Sequence, residues 1–489
     1  MKKYNLINHV LLLSINVLLL ALISCVIYKG DKIPITTTSE EALTYYLQGR
    51  DLFEKLRGQE SKQFFEKAVA ADSNFAIAYL NLSLVQSSAK GFFEQLNKAV
   101  ALADKVTEGE RLWILGFQAG AYAYPVKQRD YYQKLVDAYP KDERAHNLLG
   151  NNYFGQQEYE HAIEEYKKAI EIAPDFSQPY NQLGYAYRFL ENYTEAEKAF
   201  KKYIELIPDD PNPYDSYAEL LMKMGKYDES IESYKKALSL NPNFVASHIG
   251  IATNLNFKGN HGNTRKQLQK LYNIARNDGG RRAAHFAMAV SYVDEGNMDN
   301  ALEELNKQYA LAEKINDASA MSGDLVAIGN ILLESGKIDE ALIKYKKAVK
   351  LVEESNLSKE IKDNTKRGYL FNSARVALMK KDFTTAKDES KKYRNQVEAI
   401  NNPFQIRLSH ELAGMIALEE KDYDKALEEL QQANQQNPYN HYRIAIAYRG
   451  KGDEEKAKES CLKASKFNAL NNLNYAFIRN KAQQLLNSM

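Results

Sequence analysis

Three consecutive segments, residues 143–176, 177–210 and 211–244, align with one another without a gap at a period of 34 residues. This constrains the fold more than any other feature, because a unit of that size cannot bury its own apolar face. It must stack on copies of itself, and a continuous core follows. Within each unit the pattern predicts two antiparallel helices. Gly150 or Gly184, with Ala162 or Ala196 on the next helix, forms a small surface where the pair crosses closely. Tyr153, Tyr166, Tyr187 and Phe200 fill the space around it, and Pro174, Pro208 and Pro242 end the second helix. Composition agrees with an all-helical chain: 26% of residues are charged, and 33 Tyr stand beside 11 Pro in 489 residues.

Leu149, Gly150, Tyr153, Ala162, Tyr166, Ala169 and Pro174, and then Leu183, Gly184, Tyr187, Ala196, Phe200 and Pro208, resemble the signature positions of the tetratricopeptide repeat (TPR) family. The resemblance implies an all-α fold, an α-solenoid winding as a right-handed superhelix with a concave groove. The pattern decays in both directions. Upstream, residues 42–75 keep Gly49, Phe65 and Ala68, a shortened unit follows, and residues 109–140 keep Gly116, Tyr132 and Pro140. Downstream, His248–Leu271 is a degenerate unit, and "NDGGRR" (277–282) is the expected joint. Beyond it Ala301, Ala341, Ala386 and Ala426 mark second helices 40, 45 and 40 residues apart, which predicts longer helices. Ala457 begins a last short pair, and residues 473–488 read as a capping helix. The expectation is about twelve TPR or TPR-like hairpins, in an N-terminal solenoid over 40–276 and a longer-helix one over 277–489.

Residues 1–24 read as a secretory signal, with Lys2 and Lys3 ahead of an apolar run from Val10 to Ile23. Leu22-Ile23-Ser24-Cys25 resembles the lipobox of bacterial lipoproteins, which implies that Cys25 is lipidated and becomes the mature N-terminus. The competing reading is an uncleaved signal anchor, since the apolar run continues through Tyr28. Lipidation predicts a body held on the cell envelope, with the outer membrane facing the periplasm as the default by resemblance. Residues 25–39, with Pro34 and a Thr run, suit an extended tether, and Thr38 with Glu41 forms a capping-box pattern at the first helix.

The formal charge of +1 leaves no net field to attract nucleic acid. Cys25 and Cys461 form no disulfide framework, and Cys461 reads as a packed thiol. The "HEL" at 410–412 has Gly414 where a zinc-binding helix needs a second histidine, and no phosphate-binding loop is present. Neither an enzyme nor a cofactor is expected.

In the TPR family the first helix of each repeat lines the groove. Carried over residue by residue, the resemblance implies a peptide-binding surface of Trp113, Phe117, Asn147, Asn151, Asn181, Tyr185, Arg188, Asp215 and Glu219, flanked by Arg144, Gln178 and Asn212. The asparagine amides offer donors and acceptors to an extended peptide backbone, and the aromatic residues offer apolar seats. Asn147, Asn151, Gln182, Asn212 and Ser216 replace the cationic clamp of the family's heat-shock-chaperone adaptors, which argues against an acidic-tail ligand. The expected function is a membrane-anchored scaffold for protein or peptide partners. A glycan-binding lipoprotein resembling SusD and a structural spacer using the convex face remain open, as does packing of these residues against a neighbouring turn.

Overall fold

The structure is a computed structural model that describes residues 30–489; the expected signal sequence and Cys25 lie outside the described residues. Those residues form 25 α-helices, twelve tandem antiparallel hairpins followed by one final helix. We number the hairpins as units. Units 1 to 4 span 40–71, 76–101, 108–138 and 143–172; units 5 to 8 span 177–206, 211–240, 245–274 and 278–313; units 9 to 12 span 318–353, 359–399, 403–432 and 438–465. The final helix is Leu473–Asn487.

The helices begin where the sequence supplies caps. Asp142 accepts from the backbone N–H of Arg144 and Ala145, and Asp210 accepts from that of Asn212, satisfying donors that a helix start leaves free. Ser39, rather than Thr38, caps the first helix by accepting from Ala42 N–H. The 34-residue register holds to unit 7: first helices start at 143, 177, 211 and 245, and second helices at 159, 193, 227 and 261. Unit 7 is therefore complete in its helices although its sequence signature has decayed.

The core sits between the paired helices. Tyr132, Tyr166, Phe200 and Tyr234 on second helices are 0–2% exposed, with Ala162 and Ala196 at 0%. A Cβ added to Gly150 would come within 2.6 Å of the Tyr166 ring, and one on Gly184 within 2.6 Å of Phe200. The glycine thus makes room for the aromatic ring of the facing helix, a more specific role than the close crossing opposite alanine that the sequence suggested.

Three further expectations change. Residues 278–282 of the expected joint open the helix Asp278–Glu295, because Asn277 caps it by accepting from Gly280 N–H at 3.0 Å. Residues 31–38 are not a free tether. They lie against units 1, 3 and 4, and their contacts are described below. Units 8 to 10 have helices of 16 to 21 residues, but the longer helices expected through 489 do not continue: the helix carrying Ala426 has 10 residues and those of unit 12 have 13 and 12.

Successive turns of the solenoid touch. Asn402 donates to the Ala123 carbonyl at 2.7 Å, Arg407 to that of Gln156 at 2.9 Å, and Gln157 to Asn434 at 2.9 Å. Units 3 and 4 thereby meet unit 11 and the loop that follows it. The final helix buries Tyr475 and Phe477 in a core shared with Met222, Phe257, Val290 and Val293 of units 6 to 8. It packs across to the first helix of unit 8 as well as stacking on unit 12, so it is more than an end cap.

Candidate interaction surface

The 34-residue register arranges the expected groove residues in columns. Trp113, Asn147, Asn181 and Asp215 are each one repeat apart on the first helices of units 3 to 6. Phe117, Asn151, Tyr185 and Glu219 form a second column four residues on, one helical turn along the same face. Arg188 lies three residues beyond Tyr185. The sequence reading therefore collects all nine residues on one face of four neighbouring helices.

Three of the four inner-column residues are nearly buried, and Trp113 is partly so. Asn147, Asn181 and Asp215 are 5%, 4% and 4% exposed, while Asn151 and Tyr185 of the outer column are half-buried. Trp113 packs between the cores of units 1 to 4, and Phe117 meets the Phe92 ring at 6.0 Å. The columns are cross-linked. Asn147 donates to Gln178 at 3.1 Å, Tyr166 donates to Asn151 at 2.9 Å, and Tyr185 donates to Glu219 at 3.0 Å. Arg188 pairs with Glu219 at 3.0 Å and lies over the Tyr185 and Phe189 rings. Arg144 holds Glu54 of unit 1 through two bonds of 2.6 and 2.9 Å.

Three buried polar atoms in this array have no partner among the described residues: Asn147 Oδ1, Asn181 Oδ1 and Arg188 Nε. Such atoms are uncommon in folded proteins, because each retains its desolvation cost without a compensating bond. Asp215 accepts from Ser247 at 2.6 Å, and burial, reinforced by the Glu219 carboxylate, pushes its pKa up to about 8. Burial favours the neutral form of Asp215, and Arg188 pairs with the neighbouring Glu219. The surface is thus close to neutral and suited to hydrogen bonding rather than to attracting a strongly charged ligand.

Residues that looked chemically suggestive are structural. His410 contacts Glu429 at 2.7 Å, itself held by Arg394, and Cys461 is buried with its thiol donating to the Ala482 carbonyl. Among the described residues no cluster of three or more His, Cys, Asp or Glu side chains could hold a metal ion. Likewise, no described helix is long and apolar enough to cross a membrane.

Sequence reasoning missed a regular brace. His146–Glu165, His248–Gln267, His285–Glu304 and His410–Glu429 are each 19 residues apart, and each joins the two helices of one unit at 2.6 to 2.7 Å. The repeated spacing was the available signal.

Stacked antiparallel hairpins with a lined inner face define a helical-repeat scaffold. Residues 150–188 match the TPR repeat model, and residues 177–210, 218–244 and 439–469 match tetratricopeptide repeat models. These segments carry tetratricopeptide repeats, and they lie within twelve tandem hairpins. No curated protein matches it. Among solved structures, that of MamA is similar at 24% identity over 32% of this chain and 91% of its own, with a TM-score of 0.28. YrrB, described as a TPR protein with an unusual peptide-binding site, is similar at 22% identity over 37% and 91%, with a TM-score of 0.26. A TPR protein from Parabacteroides merdae is similar at 15% over 56% and 94%, with a TM-score of 0.34.

Proposed function

We propose that the protein is a non-enzymatic scaffold, anchored to the bacterial envelope through lipidated Cys25, that holds extended peptide segments of envelope proteins against the inner face of units 3 to 6. What supports the peptide reading is one observation: Asn147 and Asn181, one repeat apart, carry buried amide oxygens that meet no donor. A main-chain N–H is the donor such a pair would accept once the two side chains turn toward the inner face, and consecutive repeats would then read consecutive stretches of an extended ligand. Tyr185 and Phe189 beside them offer apolar area, and the near-neutral Asp215–Glu219–Arg188 group suits an uncharged backbone.

Photo-crosslinking in cells tests the reading, with a photoreactive residue at position 113 or 151 and a control at exposed Lys235 on a second helix. The same few protein adducts from the inner face, absent from the control, are expected. Equal labelling from both faces would remove the groove from the account. For the anchor, Cys25→Ala should leave the precursor unprocessed and abolish incorporation of a labelled fatty acid, and normal labelling of that variant would refute it.

A further inference from the structure

The segment that precedes the first helix is held as a bound peptide is held. Ile33 N–H donates to Asp142 Oδ2 at 2.8 Å, and Thr36 N–H donates to Glu110 Oε1 at 3.0 Å, so two main-chain donors meet carboxylates of units 4 and 3. The Thr36 hydroxyl donates to the same Glu110, and the Thr37 hydroxyl donates to Asp72 at the end of unit 1. Lys32 pairs with Glu143 and donates to the Lys141 carbonyl. Ile33 packs on the Leu112, Tyr132 and Leu135 core, and Ile35 on that of unit 1. Between them, Pro34 needs no donor partner and biases Ile33 toward extended backbone.

The receiving surface is shaped for this segment. A Cβ on Gly109 would lie 3.0 Å from Ile33 and 2.8 Å from the Tyr139 ring, so the bare backbone there admits both. Glu110 is 1% exposed, and burial raises its pKa, partly countered by its bonds to Thr36 and Thr107. A carboxylate so deeply placed is compensated largely by what residues 32–37, the strap, donate to it. Alongside, a cavity of about 350 Å³ remains open between the strap, Leu43, Leu47, Arg50 and Trp113.

We propose that this slot on units 1, 3 and 4 is a sequence-selective acceptor site for an extended peptide of the pattern basic–aliphatic–Pro–aliphatic–Thr, filled in cis by residues 32–37. Its selectivity has a separate cause at each position: Glu143 takes the basic side chain, the two cores take the aliphatic ones, and Glu110 takes both the N–H and the hydroxyl of threonine. The cis segment competes with any incoming peptide at the high effective concentration of a short tether. Displacing it frees the Trp113 end of the inner face. The site uses none of the unpaired amides of units 4 and 5, so it stands or falls separately from the groove reading.

The test uses full-length protein and a fluorescent peptide of residues 30–39. In the double variant Ile33→Asp/Ile35→Asp, both aliphatic anchors become charged beside Asp142 and Glu110, which should expel the strap. The peptide is expected to bind that variant at least tenfold more tightly than it binds the unaltered protein, and a peptide carrying the same two aspartates should not bind. Failure of the peptide to bind the folded variant, or equal binding to both proteins, overturns the proposal. Should the variant lose helicity, hydrogen exchange on the unaltered protein decides: Ile33 and Thr36 amides are expected to be protected. Exchange at free-peptide rates would show that no such site is occupied.

Discussion

The fourth position of the regular repeats shows how one side chain joins two units. His146, Tyr180, Tyr214 and His248, each 34 residues apart, bond the carbonyl of the proline six residues earlier, at 2.9 to 3.1 Å. Proline ends the preceding helix, and the carbonyl it leaves over is taken up by the next unit. Asp215 gives a pH signature with a definite sign. Its folded pKa of about 8 lies far above its ordinary value near 3.8, so between those limits the unfolded chain releases a proton that the folded one keeps. Stability should therefore fall as pH rises from about 4 to about 8, with Glu219, Arg188, Tyr234 and Ser247 as the facing groups. Asp215→Asn keeps an acceptor for Ser247 and should flatten that decline in a melting-temperature series; an unchanged slope would exclude Asp215 as its source. At Gly184 the expectation is steric: Gly184→Ala should cost about 1–3 kcal/mol in denaturant unfolding, and Phe200→Leu should recover part of it.

At the scale of elements, the His–Glu brace and the final helix show two ways of holding hairpins together. In His146, burial lowers the pKa, but the bonds to Glu165 and the Pro140 carbonyl outweigh it and leave the pKa raised. That contribution is fully present below about pH 6.5 and is lost as pH rises through the folded value. Glu165 has its pKa lowered by His146 and Lys168 against the opposing effect of burial, so its share is lost on acidification instead. The pair is strongest between the two limits. His146→Gln should remove the alkaline loss while retaining a donor to Glu165, which a pH series of unfolding midpoints would show. The final helix depends on apolar burial. Phe477 is 6% exposed in the core shared with units 6 to 8, and Phe477→Ala should cost about 3–5 kcal/mol. Faster amide exchange should then appear in the helix Asp278–Glu295, which the final helix covers; protection unchanged there would mean that the contact contributes little.

For the whole molecule, contacts between distant units decide how far the solenoid is closed. Arg144 and Glu54 clasp unit 4 to unit 1 in a two-bond geometry that a lysine does not reproduce. Arg144→Lys should lower stability by about 1.5–3 kcal/mol. It should also increase exchange at the start of the unit 4 helix; loss confined to unit 1 would show that the clasp does not couple the two.

The sequence by itself determined the unit and its repetition. A 34-residue register with glycine, aromatic, alanine and proline at fixed places leaves one economical way to bury apolar surface, so the hairpins of units 4 to 6 and the columns at 147, 181 and 215 were legible in advance. Such information is local: it concerns residues that meet within one hairpin or across one boundary. Only the tertiary structure decided that residues 32–37 are seated rather than free and that the final helix reaches unit 8. Each depends on groups brought together by the accumulated turn of many units, such as Ile33 with Asp142 or Phe257 with Tyr475. A period in the sequence specifies how each unit sits on the next, but small rotations summed over seven or eight units decide which distant surfaces meet.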